Sequence, residues 1–102
     1  MEIAKSVNGI PIRLTDERWV HITENHDDLA GYYDEILDVI EHPDYVIRGY
    51  EGALTALKQA KNGKFLAVVY KEISDSDGFI ITAYFTSKMR LEREAIIWQR
   101  QE

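Results

Sequence analysis

The stretch LTALKQAKNGKFLAVVYK, from Leu54 to Lys71, decides the fold that this sequence predicts. Apolar and polar side chains alternate along it, as expected for strands that bury one face. Near its middle stands Asn62-Gly63, a dipeptide that favours the positive φ angles of a two-residue hairpin turn. The stretch therefore predicts an antiparallel β-hairpin.

A two-residue turn would fix the pairing of the two strands, because each residue then has one determined partner. Lys61 would lie opposite Lys64, and Lys58 opposite Ala67. One face of the hairpin would carry Leu57, Leu66, Val68 and Tyr70, and the other face Lys58, Phe65, Val69 and Lys71. We expect the first set, which is entirely apolar or aromatic, to be buried under the helices.

The segments on either side of the hairpin predict further strands. Strand-like patterns run from Asp44 to Tyr50 and from Phe79 to Ser87, and the composition of Ser74 to Gly78 is typical of a turn. The opening NGIPIRL predicts a turn followed by a brief strand or extended arm. Residues 91–102 are compatible with either a helix or a last strand.

Two helices are predicted before these strands. The first runs from about Thr15, a favourable N-cap, to Asn25. The second runs from about residue 29 or 31 to His42, because apolar residues recur there at every third or fourth position. Pro43 ends it, since the residue before a proline is disfavoured in helical geometry.

This order of elements predicts an α+β fold in a single domain of residues 1–102. Two N-terminal helices would pack on one face of a roughly four-stranded antiparallel meander sheet. The other face of the sheet would remain open. With 45% hydrophobic residues, the chain can build one hydrophobic core and is too short for two.

The net charge of −6 is unevenly distributed. Residues 1–51 hold four Lys/Arg and twelve Asp/Glu, a net of −8, whereas residues 52–102 hold eight and six, a net of +2. A polyanion would be repelled on average but could find a local positive surface in the second half. Cysteine is absent, which excludes disulfides and thiolate metal sites. No segment has the length and apolarity of a membrane span, so we expect a cytoplasmic protein.

The open face of the predicted sheet is a candidate binding surface. Burying the more apolar alternate residues of 79–87 leaves Thr82 and Tyr84 on the same face as Lys58 and Lys71. Ammonium groups bind phosphates, and an aromatic ring can stack on an unpaired base. The alternative is an ordinary solvated face, which the alternation of a half-buried strand also produces.

Two histidines, His21 and His26, stand five positions apart in RWVHITENHDDL. Each could transfer protons near neutral pH, and RNA cleavage by the ribose 2′-hydroxyl requires such groups together with a cation. The alternative is a polar helix end, with His21 exposed beside Glu17 and His26 covering an edge of the core. We expect no metal site, because positions i and i+5 do not lie side by side on a helix.

Four segments, in this order, resemble the barnase, EndoU, colicin and RelE-like nuclease superfamily, especially its small phage- and toxin-associated members. The segments are RLTDERWVHITENHDDL, DEILDVIEHPDYVIRG, LAVVYKEI and FIITAYFTSK. The resemblance extends from about Arg13 to Trp98. It implies a metal-independent ribonuclease without cofactor, such as the toxin of a toxin and antitoxin pair, with RNA lying across the open sheet face.

The resemblance also implies a set of site residues. The positions that match its segments are His21, His26, Lys71, Thr82, Ser87 and Lys88. The catalytic residues would be His26, His21, Lys71 and Thr82. The substrate would be bound by Ser87 and Lys88, together with Lys58, Tyr84 and Arg90, which are included because of their charge or their predicted face of the sheet. RNA and an antitoxin protein would be the partners. The acidic net charge departs from the basic character of such toxins.

A non-catalytic function is the alternative. The same sheet face, or an exposed edge strand, could bind a protein partner without any chemistry. The two hypotheses differ in one geometric requirement, since only catalysis needs a histidine to lie in one cleft with Lys58, Lys71, Thr82 and Tyr84.

Overall fold

The structure, a computed structural model, describes residues 1–87 and 90–101. The described residues form the strands β1 (Glu2–Lys5), β2 (Pro11–Leu14), β3 (Tyr45–Arg48), β4 (Leu54–Gln59), β5 (Phe65–Ser74), β6 (Asp77–Thr86) and β7 (Ile96–Gln99). The helices α1 (Asp16–Asn25) and α2 (Tyr33–Glu41) lie between β2 and β3 in the sequence. One sheet contains all seven strands in the order β1, β2, β6, β5, β4, β3, β7.

The protein is α+β, but the predicted four-stranded antiparallel meander with two N-terminal helices is wrong. The sheet has seven strands and is mixed, since β2 runs parallel to β6. A β1–β2 hairpin precedes the helices, and the tail forms β7 beside β3. Of these additional strands, β2 is the brief strand that NGIPIRL predicts and β7 is one of the two alternatives for the tail, whereas no pattern in the sequence indicates β1. β2 and β7 pair with strands distant in the sequence, which a local pattern does not predict.

The predicted pairing of β4 with β5 is also wrong, by one residue. Asn62 and Gly63 have the predicted positive φ angles, and the Lys64 N–H donates to the Lys61 carbonyl. However, the Ala60 N–H also donates to the Lys64 carbonyl, at 2.7 Å, so the turn contains an extra residue on the β4 side. Lys58 therefore lies opposite Leu66 instead of Ala67.

This shift by one residue exchanges the two faces of β4, because successive side chains of a strand point to opposite sides. Leu57 lies on the face away from the helices, where it contributes to a second apolar cluster. Lys58 lies on the helix-covered face. The faces of β5 are as predicted, with Leu66 and Val68 in the main core.

The main core lies between the two helices and one face of the sheet. Ile22 of α1 and Ile36 and Ile40 of α2 are fully buried there against Leu66 and Val68 of the sheet. Each such side chain stabilises the fold by about 1.5–3 kcal/mol.

Neither of the described helices is long and apolar enough to cross a membrane.

The other face, here called the second face, is partly covered. Ile47, Leu57 and Ala67 form a small apolar cluster on it, and Leu91 packs against this cluster. Leu91 belongs to the connection that leads from β6, inside the sheet, to β7 at its edge. The prediction of an open face is therefore wrong for the region over β3, β4 and β5.

Candidate active site

The end of α1 lies beside an unpaired edge of β6. β2 pairs with β6 only at Gly78 and Phe79, so no strand of the described residues lies along the rest of β6 on that side. The chain continues from β2 directly into α1, which contacts β6. Thr15 fixes the start of α1 by accepting a hydrogen bond from the Arg18 backbone N–H at 3.1 Å. This arrangement places the C-cap residue of α1, His26, next to the sheet edge.

His26 reaches a residue of the second face. Its ring centroid lies 6.2 Å from that of Tyr84, and the two rings are inclined by 36°. Both side chains are half-buried. Tyr84 in turn packs on the cluster of Ile47, Leu57 and Ala67. The helix end and the second face therefore meet at the pair His26 and Tyr84.

Hydroxyl groups line the second face on either side of this pair. A β-bulge at Ile81 interrupts the pairing of β6, so that Ile80 and Ala83 are both buried in the main core. Beyond the bulge, Thr82 and Tyr84 lie opposite Val69 and Ala67 on the second face. Thr86, two residues further, shares this face.

Lys71 shares the second face but lies away from His26. It is opposite Phe79, at the far end of β6 from Tyr84. Its Cε lies 3.8 Å from the position that a Cβ on Gly52 would take, so the side chain extends toward the loop that precedes β4. β4 and β6 flank β5 on opposite sides. The structure therefore does not bring Lys71 together with His26.

His21 and Lys58 are also separate from this site. His21 is exposed on α1, and its carbonyl accepts a hydrogen bond from the Asn25 amide at 2.8 Å. The Lys58 ammonium lies 2.7 Å from the Asp38 carboxylate of α2, because the shifted pairing of β4 turns it toward the helices. The expectation that Lys58 shares a face with Lys71 is wrong.

The last three predicted site residues follow Tyr84 in the sequence. Ser87 is exposed at a bend after β6, and Arg90 is exposed at the start of the segment that carries Leu91. Lys88 lies outside the described residues. In the part of the chain that the structure describes, no group of three or more His, Cys, Asp or Glu side chains could hold a metal ion.

An ion pair that the sequence did not predict lies at the far end of the second face. The Arg13 guanidinium on β2 donates two hydrogen bonds to the Asp77 carboxylate, at 2.8 and 3.1 Å. This hydrogen-bonded cation lowers the pKa of Asp77, and the carboxylate raises the pKa of Arg13. The ion pair depends on the parallel contact of β2 with β6, which no local pattern of the sequence indicates.

Two aromatic residues of the second face were also not predicted as site residues. The rings of Tyr45 and Phe65 meet edge to face, with centroids 6.3 Å apart. Both pack on the same cluster as Tyr84. The sequence shows that each of them alternates with apolar neighbours. Predicting that they contact each other would have required the register of β3, β4 and β5.

Comparison with protein families, with curated proteins and with solved structures found no match to this chain. The resemblance to nucleases therefore stands on its four sequence segments. The geometry around His26 is an independent observation.

Proposed function

We propose that this protein is a small metal-independent ribonuclease with His26 as its proton-transferring residue. The observation that carries the proposal is the contact between His26 and Tyr84 at the edge of the sheet. It brings an imidazole, a side chain that can accept or donate a proton, to a face that also holds an aromatic ring and threonine hydroxyls. The RNA substrate makes the cytoplasm the site of action.

The reaction is an attack by the ribose 2′-hydroxyl oxygen on the adjacent phosphorus. The bond from phosphorus to the 5′-oxygen breaks, giving a 2′,3′-cyclic phosphate and a 5′-hydroxyl. His26 removes the 2′-hydroxyl proton as general base, and the leaving 5′-oxygen takes a proton from solvent or from a second group. The Thr82 and Tyr84 hydroxyls position the phosphate.

A cation must offset the charge that develops on phosphate in the transition state. Lys71 is poorly placed for this role, because its side chain extends away from His26. Lys88 and Arg90 follow β6 directly in the sequence and are the candidates for it. An antitoxin would be the natural partner of such a ribonuclease.

The proposal is tested by incubating the purified protein with single-stranded RNA in EDTA and separating the products. We expect cleavage that requires the 2′-hydroxyl, so an oligonucleotide with one ribose flanked by deoxyriboses should be cut only at the ribose. His26→Ala should abolish cleavage, whereas His21→Ala, the matched change on the exposed side of α1, should retain it. Absence of cleavage, or cleavage unchanged by His26→Ala, would refute the assignment.

A second candidate is a non-catalytic interaction module that uses the β7 edge. Ile96 and Ile97 are 38% and 42% exposed on this edge strand, and Tyr50 is 93% exposed. Exposed apolar residues beside an uncovered strand are typical of surfaces that associate. This function predicts no RNA cleavage and a concentration-dependent self-association that Ile97→Lys abolishes, measured by sedimentation velocity.

A further inference from the structure

A groove of about 690 Å³ opens on the second face, at the end where β3, β4, β5 and β7 come together. Its lining includes Asp44, Tyr45, Gln59, Phe65, Gln99 and Arg100. These residues belong to four different strands or their ends, so the groove exists only in the folded sheet. None of them has a role in the chemistry proposed above.

Tyr45 and Phe65 supply the aromatic part of a groove whose lining is otherwise polar. The Tyr45 and Phe65 rings support each other edge to face, and both pack on the cluster of Ile47, Leu57 and Ala67. Tyr84, the ring that contacts His26, packs on this same cluster. The groove and the ring that contacts His26 therefore share one apolar cluster.

The polar residues of the groove suit the edge of a base. The side-chain amides of Gln59 and Gln99 are exposed, and no other described residue engages them. A glutamine amide has a donor and an acceptor side by side, which match N7 and the N6 amino group of adenine. The Arg100 guanidinium, the group that would favour guanine, is already held 3.1 Å from the Asp44 carboxylate.

We propose that this groove binds an unpaired base of the RNA substrate and prefers adenine. An aromatic wall supplies stacking, which any base accepts, and the two amides supply the selection. The inference rests on the proposed ribonuclease function, because it assigns the groove to the same substrate. A base bound in this groove would give the protein a sequence preference that the phosphate contacts of Thr82 and Tyr84 do not supply.

Binding and cleavage are to be measured separately. Fluorescence anisotropy with labelled oligo-A, oligo-U and oligo-C RNA would use the full chain carrying His26→Ala, so that the probes stay intact. In that background, Tyr45→Leu keeps an apolar side chain on the cluster but removes the stacking ring, and should weaken binding of all three RNAs roughly tenfold or more. Gln99→Leu replaces an exposed amide side chain by an apolar one of similar size. It should abolish the preference for oligo-A and leave the binding of oligo-U unchanged.

Tyr50→Leu is the matched control, because it removes a tyrosine that is 93% exposed and outside the groove. It should change neither affinity nor preference, and thermal unfolding of each variant should confirm that the fold is retained. Should Tyr45→Leu unfold the protein, Gln99→Leu alone still decides the base preference.

The outcomes separate this inference from the ribonuclease proposal. If the wild-type protein cleaves RNA but Tyr45→Leu and Gln99→Leu bind and discriminate as the parent does, the groove assignment is overturned while the ribonuclease stands. If the wild-type protein does not cleave, yet these variants lose binding and adenine preference, the groove binds RNA and the catalytic proposal fails. If neither the His26→Ala parent nor any of its variants binds RNA, the groove assignment is overturned.

Discussion

At the scale of single residues, the site depends on how a helix end meets a strand edge. His26 reaches Tyr84 because, among the described residues, no strand pairs with the β2 side of β6 beyond Phe79. His21, with the same chemistry five residues earlier, remains on the exposed side of α1. The residue type alone did not distinguish the two, although the sequence analysis did place them on different sides of the helix.

The Tyr84 hydroxyl can be separated from its ring by substitution. Tyr84→Phe keeps the ring against His26 but removes the hydroxyl, and a hydrogen bond to a charged phosphate contributes about 1.5–3 kcal/mol. We therefore expect kcat/KM for RNA cleavage to fall on the order of 10- to 100-fold without loss of stability. Tyr50→Phe serves as the control, and equal activity of Tyr84→Phe and wild type would remove the hydroxyl from the mechanism.

The pair of Arg13 and Asp77 predicts a pH dependence of stability. Because hydrogen bonding to Arg13 lowers the pKa of Asp77 in the folded state, the unfolded chain binds the proton more tightly. The contribution of Asp77 is therefore complete at neutral pH and is lost as the pH falls below about 4.

Urea unfolding at several pH values would measure this contribution. Asp77→Asn should lower the free energy of unfolding at pH 7, and the difference from wild type should shrink toward zero on acidification. Asp75→Asn, an exposed carboxylate in the same turn, is the matched control. A difference that stays constant down to low pH would contradict the assignment.

At the scale of elements, the sequence predicted those whose signal is local. Thr15 caps α1 as predicted, α2 ends before Pro43, and Asn62-Gly63 forms a turn with positive φ angles. The register of that hairpin was lost because a single hydrogen bond, from Ala60 to Lys64, adds one residue to the turn. Asn62-Gly63 is compatible with turns of two or three residues, so the turn sequence alone does not set the register, which in the structure places Leu57 opposite Ala67.

The same limit applies to the candidate site. The sequence placed Thr82 and Tyr84 together on one face, since β6 carries its own alternation. It misplaced Lys58, whose face depends on the register of another strand. It could not predict that Tyr45 meets Phe65, because the two residues lie on β3 and β5, which are brought to each other only by the registers of both strands with β4.

The junction of β2, β6 and β5 predicts a strong effect of one glycine. A Cβ on Gly78 would lie 2.5 Å from the Ile12 Cδ1 and 2.6 Å from the Lys71 carbonyl oxygen. Gly78→Ala must therefore displace a strand, which we expect to destabilise the protein by about 3 kcal/mol or more.

The control is Gly63→Ala, where a Cβ has open space and only the positive φ of 71° opposes it. This change should cost about 1 kcal/mol. Thermal or urea unfolding compares the two, and a smaller loss for Gly78→Ala than for Gly63→Ala would contradict the close approach of Ile12 and of the Lys71 carbonyl to Gly78.

At the scale of the whole molecule, charge opposes the proposed function. The chain carries a net charge of −6, and much of the acid lies in the half that contains His26. RNA capture must therefore depend on stacking and on a few cations close to the bound RNA. At such short distances, the attraction by these cations outweighs the repulsion by the net charge of the protein. The affinity for RNA should be low, and it should change little with salt concentration.

Capture by a few local cations predicts a shallow dependence of RNA binding on salt concentration. For single-stranded RNA, the logarithm of the binding constant should fall with the logarithm of salt concentration with a slope of about −2 or shallower, corresponding to about three phosphate contacts at most. Removing acid beside the site should help binding at low salt. Asp27→Asn together with Asp28→Asn, adjacent to His26, should raise kcat/KM several-fold at low salt, and the gain should vanish as salt screens the field.

Removal of two carboxylates elsewhere controls for net charge. Asp34→Asn with Asp75→Asn changes the total charge equally but at other exposed positions. If both pairs of changes raise kcat/KM to the same extent, the acid acts through the overall field and its position beside His26 is irrelevant. A gain confined to Asp27 and Asp28 would instead show that RNA approaches the helix end, as a site at His26 and Tyr84 requires, since only charges within about one Debye length of the substrate influence its capture strongly.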